Sequence, residues 1–229
     1  MLACAAHSAT YTFNSGFANS GAIPDGNPTG WSDTRTISGW SAGSQITALD
    51  VSLNVSGGFN GDLYCYLSHG SGFSVLLNRV GVSSANSFGY GDTGFAITLN
   101  DSGAFNVHSY QANGGTLNGN GQLTGTWRPD GRNIGPASSG ATFDSTSPST
   151  PLSGFNNLDP NGGWTLFFAD MSAGGQSTVV NWSLDITAVP EPVNGALMIF
   201  AAVGCGVVLV AFGIAFGATI SFGGGGLSR

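Results

Sequence analysis

Leu49, Val51, Leu53 and Val55 alternate with Asp50, Ser52 and Asn54. A two-residue period lets a β-strand bury one face and wet the other, whereas on a helix it scatters the same side chains around the axis. The period returns at Leu63, Cys65 and Leu67, and in GFAITLN over 94–100. It recurs at Trp164, Leu166 and Phe168, and again at Trp182, Leu184 and Ile186. Before Glu191 no stretch sustains a 3.6-residue period. Clusters such as IPDGNPTG, SGGFNGD, QANGGTLNGNGQ and DPNGG separate these runs. Gly, Asn and Asp supply the positive φ angles and local side-chain caps that tight turns need. Short strands at roughly 8–12-residue spacing predict an all-β body over residues 10–188, a jelly roll or β-sandwich. Residues 106–161 hold few apolar anchors and are expected to form long loops with one or two edge strands.

Composition supports a packed core and narrows the partners. Of the 229 residues 41% are hydrophobic, enough to bury a core despite 38 glycines. Charged residues make up only 7%, and the net charge is −7, with five Arg and no Lys. Binding a nucleic-acid backbone needs clustered cations, so nucleic acid is excluded as a partner of any extent. Cys4, Cys65 and Cys205 show no paired spacing with each other or with His. They predict buried or incidental thiols, not a zinc site or a disulfide framework.

The two ends differ from the body. Ala3, Cys4, Ala5, Ala6, Ser8 and Ala9 resemble the small-residue cleavage region of a signal peptide, so residues 1–9 are assigned to a leader remnant and the chain to export. After Pro190, Glu191 and Pro192 the chain turns apolar. Residues 196–216 carry no charge and include eleven Leu, Ile, Val or Phe. A helix of that length spans about 30 Å, the thickness of a bilayer core. One C-terminal transmembrane helix is therefore expected, with the prolines holding an extended segment before it.

Two resemblances follow from these residues. GGFNGDLYCYLSHGSGFSVLLNRVG over 57–81 resembles the P (Homo B) domain that follows the catalytic domain of kexin- and furin-like proprotein convertases. Gly61, Asp62 and Leu63 match its Gly-Asp-Leu step, and Leu76, Leu77 and Arg79 match its Leu-Leu-x-Arg strand. Gly163, Trp164, Leu166 and Asp170 match a later strand, and Trp182 and Leu184 the closing one. The chain departs from the family in lacking a His before Gly61 and in carrying His69 where Pro is usual. The segment 189–229 resembles the PEP-CTERM sorting signal of bacterial envelope proteins through Pro190, Glu191, Pro192 and the apolar run. Its terminal basic part is reduced to Arg229. This second resemblance implies anchorage in the inner membrane, processing by an exosortase, and a surface or extracellular destination.

The sequence offers little for catalysis. A subtilisin-like centre needs a Ser nucleophile, a His base and a buried Asp. Only His7, His69 and His108 are available, and no Gly-Thr-Ser helix start exists. With Glu191 the sole glutamate, no carboxylate pair stands out for glycoside hydrolysis. A non-enzymatic surface or matrix module is expected. Alternatives are a carbohydrate-binding module for exopolysaccharide, or an accessory domain for a separate subtilisin-like protease. Among the turns, Asp62, Asp144 and Asp170 are candidate calcium ligands, because hard cations take oxygens from Asp, Asn and backbone carbonyls. No other cofactor is expected. Trp31, Trp40 and Trp127 fall off the clear alternations and are candidate sugar-stacking rings; the other reading has them plug the ends of the sandwich.

Overall fold

The structure, a computed structural model, describes residues 5–190. Nine strands follow in chain order: β1 (His7–Phe13), β2 (Trp31–Ile37), β3 (Gln45–Gly57), β4 (Leu63–His69), β5 (Gly72–Asn78), β6 (Phe95–Leu99), β7 (Leu123–Trp127), β8 (Gly162–Asp170) and β9 (Ser177–Val189). They form a five-stranded sheet in the order β1-β9-β3-β6-β7 and a four-stranded sheet in the order β2-β8-β4-β5. Every pairing is antiparallel except β6–β7. One short helix, α1 (Gly140–Ser145), lies in the connection from β7 to β8, capped by the Ser139 side chain on Thr142 N. The body is all-β, as expected.

The alternations seen in the sequence bury the faces they predict. Leu49, Val51, Leu53 and Val55 of β3 meet Leu63, Cys65 and Leu67 of β4 and Leu166 and Phe168 of β8 in one core shared by both sheets. Trp164 and Trp182 are fully buried, and their indole N–H groups stay paired. Trp164 donates to Pro160 O at 3.0 Å, and Trp182 donates to Asp33 Oδ2 at 2.8 Å. Burying such a ring contributes about 1.5–3 kcal/mol, provided its polar atom keeps a partner.

One boundary moves, and one edge strand pairs in parallel. β1 starts at His7 and pairs with β9 from His7↔Ala188 to Phe13↔Trp182. Residues 7–9, assigned on sequence to the leader, thus belong to the sheet. The region 106–161 does form loops and one edge strand, β7, but it pairs in parallel with β6. Glu191, Pro192, the expected helix over 196–216, Cys4, Cys205 and Arg229 lie outside the described residues. Among the described residues no helix is long and apolar enough to cross a membrane.

Candidate functional site

The tryptophans singled out for sugar stacking do not form a surface platform. Trp31 is 4% exposed on β2, its N–H donates to Ala18 O at 2.9 Å, and Phe17 and Phe168 flank its ring. Trp127 is 7% exposed on β7, donates to Thr124 O at 2.8 Å and sits edge-on to Tyr110. Both lie on strands and face inward, which corrects the expectation that they fall off them. Trp40 is half-buried, and Asn161 brackets its backbone by accepting from Trp40 N and donating to Trp40 O.

Exposed aromatics lie elsewhere, Phe105 at 47% among them. Phe88 is 79% exposed and Phe59 44%. With Tyr90, Asp62, Ser172 and Ala173 they line a cleft of about 310 Å³ at one end of the sandwich. Its floor is the step Asn60–Asp62 that leads into β4. Asn60 is buried and grips Gly94 from both sides, donating to Gly94 O at 3.1 Å and accepting from Gly94 N at 2.7 Å. Gly61 N donates to Tyr90 O at 2.8 Å, and Arg79 Nε donates to Gly61 O at 3.2 Å. A Cβ at Gly61 would stand 2.3 Å from Phe88 O, so only glycine lets the loop carrying Phe88 lie this close. The loop is pinned by its backbone, and the Phe88 ring is left facing water.

Of the three candidate calcium ligands, two come together. Asp62 and Asp170 stand on neighbouring chain segments, since Leu63 is paired with Asp170 and Met171 N donates to Asp62 O at 2.8 Å. Asp170 is fully buried. Its Oδ1 accepts from Ser172 N at 3.2 Å, while its Oδ2 is buried without a hydrogen-bond partner. Burial, with the charges of Asp62 and Asp25 added, pushes the Asp170 carboxyl up to about 6. Burial also raises Asp62, against the opposing pull of a Ser172 hydrogen bond and the Arg79 charge. Asp25, which the sequence did not single out, accepts from Gly174 N and Gly175 N across the turn after β8. Among the described residues no three His, Cys, Asp or Glu side chains are grouped so that they could hold a metal ion. Asp144 stands apart on α1, where its carboxylate accepts from Ser84 N at 3.0 Å and from the Ser84 hydroxyl, which hold its pKa down.

Two further surfaces are distinct from this cleft. On the outer face of the four-stranded sheet, half-buried Tyr64, Tyr66, Phe73 and Phe167 form a continuous aromatic strip. Within it Tyr66 and Phe167 stack at 4.8 Å and 16°. Another cleft, of about 590 Å³, is lined by Arg128, Arg132, Asp101 and three prolines.

His7 is exposed and meets the Trp40 ring edge-on, while His69 and His108 are engaged in packing and hydrogen bonds. His108 Nδ1 meets Asp130 Oδ2 at 2.7 Å and its Nε2 meets Val82 O at 3.0 Å. His69 lies flat on Trp164 at 4.0 Å, its two nitrogens facing Gly163 O and Asp159 O. A general base needs a free nitrogen within reach of a nucleophile or substrate proton, and each of these rings has both nitrogens occupied by backbone or carboxylate oxygen.

No family model matches the chain, and no curated protein matches it. Among solved structures, it is similar to a chain in the complex of the Aeromonas sobria serine protease with its chaperone, at 15% identity and a TM-score of 0.43. The match covers 82% of this chain and 28% of that one. It is likewise similar to the serine protease of Aeromonas sobria alone, at 15% identity and a TM-score of 0.41, over 80% of this chain and 27% of that one.

Proposed function

We propose that this chain is an exported, non-catalytic P-domain-like module that docks through the Phe59–Phe88–Tyr90 cleft onto a separate subtilisin-like protease and stabilises it. The Pro190-Glu191-Pro192 signal and the apolar segment hold the module in the envelope until an exosortase removes them. One observation carries the reading. Two segments far apart in sequence, 57–81 and 163–170, which carry the resemblance to convertase P domains, meet at this single end: Asp62 lines the cleft, Arg79 binds Gly61 O, and Asp170 pairs with Leu63. Beside them a phenyl ring stands 79% exposed on a pinned loop, and burying it on a partner removes apolar surface from water without a reordering cost.

The test is the thermal half-life of a subtilisin-like protease from the same cell, measured with and without the full chain. The native chain is expected to lengthen it, and Phe88→Asp to abolish the effect while leaving its own melting temperature unchanged. An unaltered half-life with the native chain, or full protection by the variant, overturns the reading.

A second reading is favoured by the aromatic strip on the outer sheet face. Stacked Tyr66 and Phe167 offer flat rings on a rigid strand pair, the arrangement that suits a neutral exopolysaccharide. Binding of exopolysaccharide lost in Tyr66→Ala but kept in Phe88→Asp would assign function to the strip instead of the cleft.

A further inference from the structure

We infer that the free edge of β1 is a self-association site, where a second copy of this chain adds its own β1 antiparallel and joins the two five-stranded sheets into one. The inference stands independently of what the cleft docks. β1 and β7 end the five-stranded sheet, and β2 and β5 end the four-stranded one. An uncovered edge presents a row of idle N–H and C=O groups, and proteins blunt it with a loop, a charge, a proline or a bulge. Three of the four edges are blunted in this way. β5 is covered by the loop after β7, where Asp130 N donates to Leu76 O at 3.0 Å and Gly131 N to Val75 O at 2.9 Å. β7 is covered by the loop that precedes it, through Thr124 N donating to Thr116 O at 2.9 Å. β2 carries the Asp33–Arg35 ion pair. β1 has none of these devices. Its sequence, HSATYTF, contains no proline, Asp, Glu, Lys or Arg, and it pairs with β9 from His7 to Phe13 without a register shift. All its residues are exposed or half-buried, and among the described residues no backbone hydrogen bond beyond the β1–β9 ladder reaches it.

The residues of β1 select the occupant. Ala9, Tyr11 and Phe13 stand opposite the buried Ile186, Leu184 and Trp182, so they belong to the core face, while Ser8, Thr10 and Thr12 belong to the outer face. Tyr11 and Phe13 pack against the core yet stay half-buried at its rim. A strand added beyond them must bring apolar side chains to one face and small polar ones to the other. No charged side chain on β1 is there to choose an unlike partner. β1 itself meets both conditions, and a two-fold axis at Thr10 makes the pair self-complementary. Thr10 then faces Thr10 of the second copy, Tyr11 faces Ala9, Thr12 faces Ser8 and Phe13 faces His7. On the core face Tyr11 lies over the smallest side chain of the strand and Phe13 meets an imidazole. On the outer face the hydroxyls form a ladder, and cross-strand pairs of these kinds stabilise antiparallel strands. The nearest charge is Asp185, which lies opposite Thr10 in β9 and accepts from Ser8 Oγ at 2.8 Å. Its two copies would stand three strand spacings apart, about 14 Å, which exceeds a Debye length of about 8 Å at physiological salt. Their repulsion does not oppose the pairing.

The experiment is the particle mass of the full chain, purified in detergent, measured over a range of protein concentrations. The native chain is expected to pass from monomer to dimer, and Thr10→Lys to halve the mass at the concentration where the native chain is dimeric. The two lysines would face each other across the axis, where like charges oppose pairing. Within one chain the new ammonium lies opposite Asp185, so the melting temperature is expected to hold. A second measurement tests the register in a chain with Cys4 and Cys205 replaced by Ser. Thr10→Cys brings two Cα atoms to about 4.5–5.5 Å, within the span of a disulfide, and mild oxidation is expected to give a covalent dimer. Thr12→Cys faces Ser8 and is expected to stay uncrosslinked. A native chain that stays monomeric, a dimer that survives Thr10→Lys, or equal cross-linking at positions 10 and 12 overturns the inference.

Discussion

Replacing Asp130 by Ala isolates the interaction on which the long loops depend. Asp130 is fully buried. Its Oδ2 accepts from His108 Nδ1 at 2.7 Å, and its Oδ1 accepts from Arg132 Nη1 at 3.1 Å. Its backbone N–H reaches Leu76 O in β5 at 3.0 Å, while Asn106 Nδ2 donates to its carbonyl at 3.1 Å. One residue thus links β5 to the loops around 82, 106 and 132. Truncation leaves the His108 ring and the Arg132 guanidinium without their acceptor in a buried site. Breaking a buried charged pair by removing one partner costs about 3–5 kcal/mol, and removing the surrounding hydrogen bonds adds nothing that this figure does not already contain. For a domain of this size about 1 kcal/mol moves the melting temperature by roughly 2–4 °C, so a fall on the order of 6–20 °C is expected. Asp130→Asn is the control. It keeps one acceptor for Arg132, and its amide N–H can donate to His108 Nδ1 once the ring carries its proton on Nε2, which still faces Val82 O. That variant should lose less than half as much. Urea unfolding followed by tryptophan fluorescence measures both. A loss below about 1 kcal/mol for Asp130→Ala, or equal losses for the two variants, refutes the structural role given to the pair.

Three further outcomes are expected. Gly61→Ala places a methyl 2.3 Å from Phe88 O and 2.7 Å from Tyr90 N, and should cost on the order of 1–3 kcal/mol while weakening docking at the cleft; an unchanged urea midpoint counts against that packing. Asp170, with its carboxyl at about 6, above the usual 3.8, opposes folding when ionised, so this group should add stability as pH falls from 7 towards 4. The gain is bounded at about 3 kcal/mol from 1.36 kcal/mol per pKa unit, and comparing native and Asp170→Asn midpoints across that range checks the sign. Cys65 is wholly buried on β4, and burial pushes its thiol well up, so with Cys4 and Cys205 replaced by Ser its alkylation should proceed only as fast as the domain unfolds.

Stretches whose inward positions are all apolar were legible, and those with a polar or missing side chain on the inward face were not. β3, β4, β8 and β9 keep apolar alternation over 49–55, 63–67, 164–168 and 182–186, so these faces followed from period alone, while the register shifts of β3 against β9 and the buried His69 and Asp170 at the strand ends did not. β2 turns Trp31, Asp33 and Ile37 inward, and the buried Asp33 breaks the apolar pattern. Asp33 is tolerated there because Trp182 Nε1 and Arg35 Nε both donate to its Oδ2, a partnership that exists only after the sheets close. β7 interrupts its face with Gly125 and pairs in parallel with β6, which no local period encodes. Trp31 and Trp127 belong to these two strands, which is why they read as loose rings available for sugar and are instead core.

The same logic separates the legible and hidden parts of the cleft. Asp62 and Asp170 flank strong strands, so the sequence could mark them. Asp25 sits in a PDG turn that resembles any other turn aspartate, and its meaning comes from Gly174 and Gly175, some 150 positions away. Phe88 lies alone in a Ser/Asn/Gly run where a single ring has no period to join, and only the close approach of Gly61 fixes where it points. Local rules fail here at an idle buried oxygen, an exposed ring and a glycine that tolerates no Cβ, all at one end of the molecule. A sequence selected for folding alone gains nothing from these features, and their grouping at one end is what a site held for something outside the chain requires.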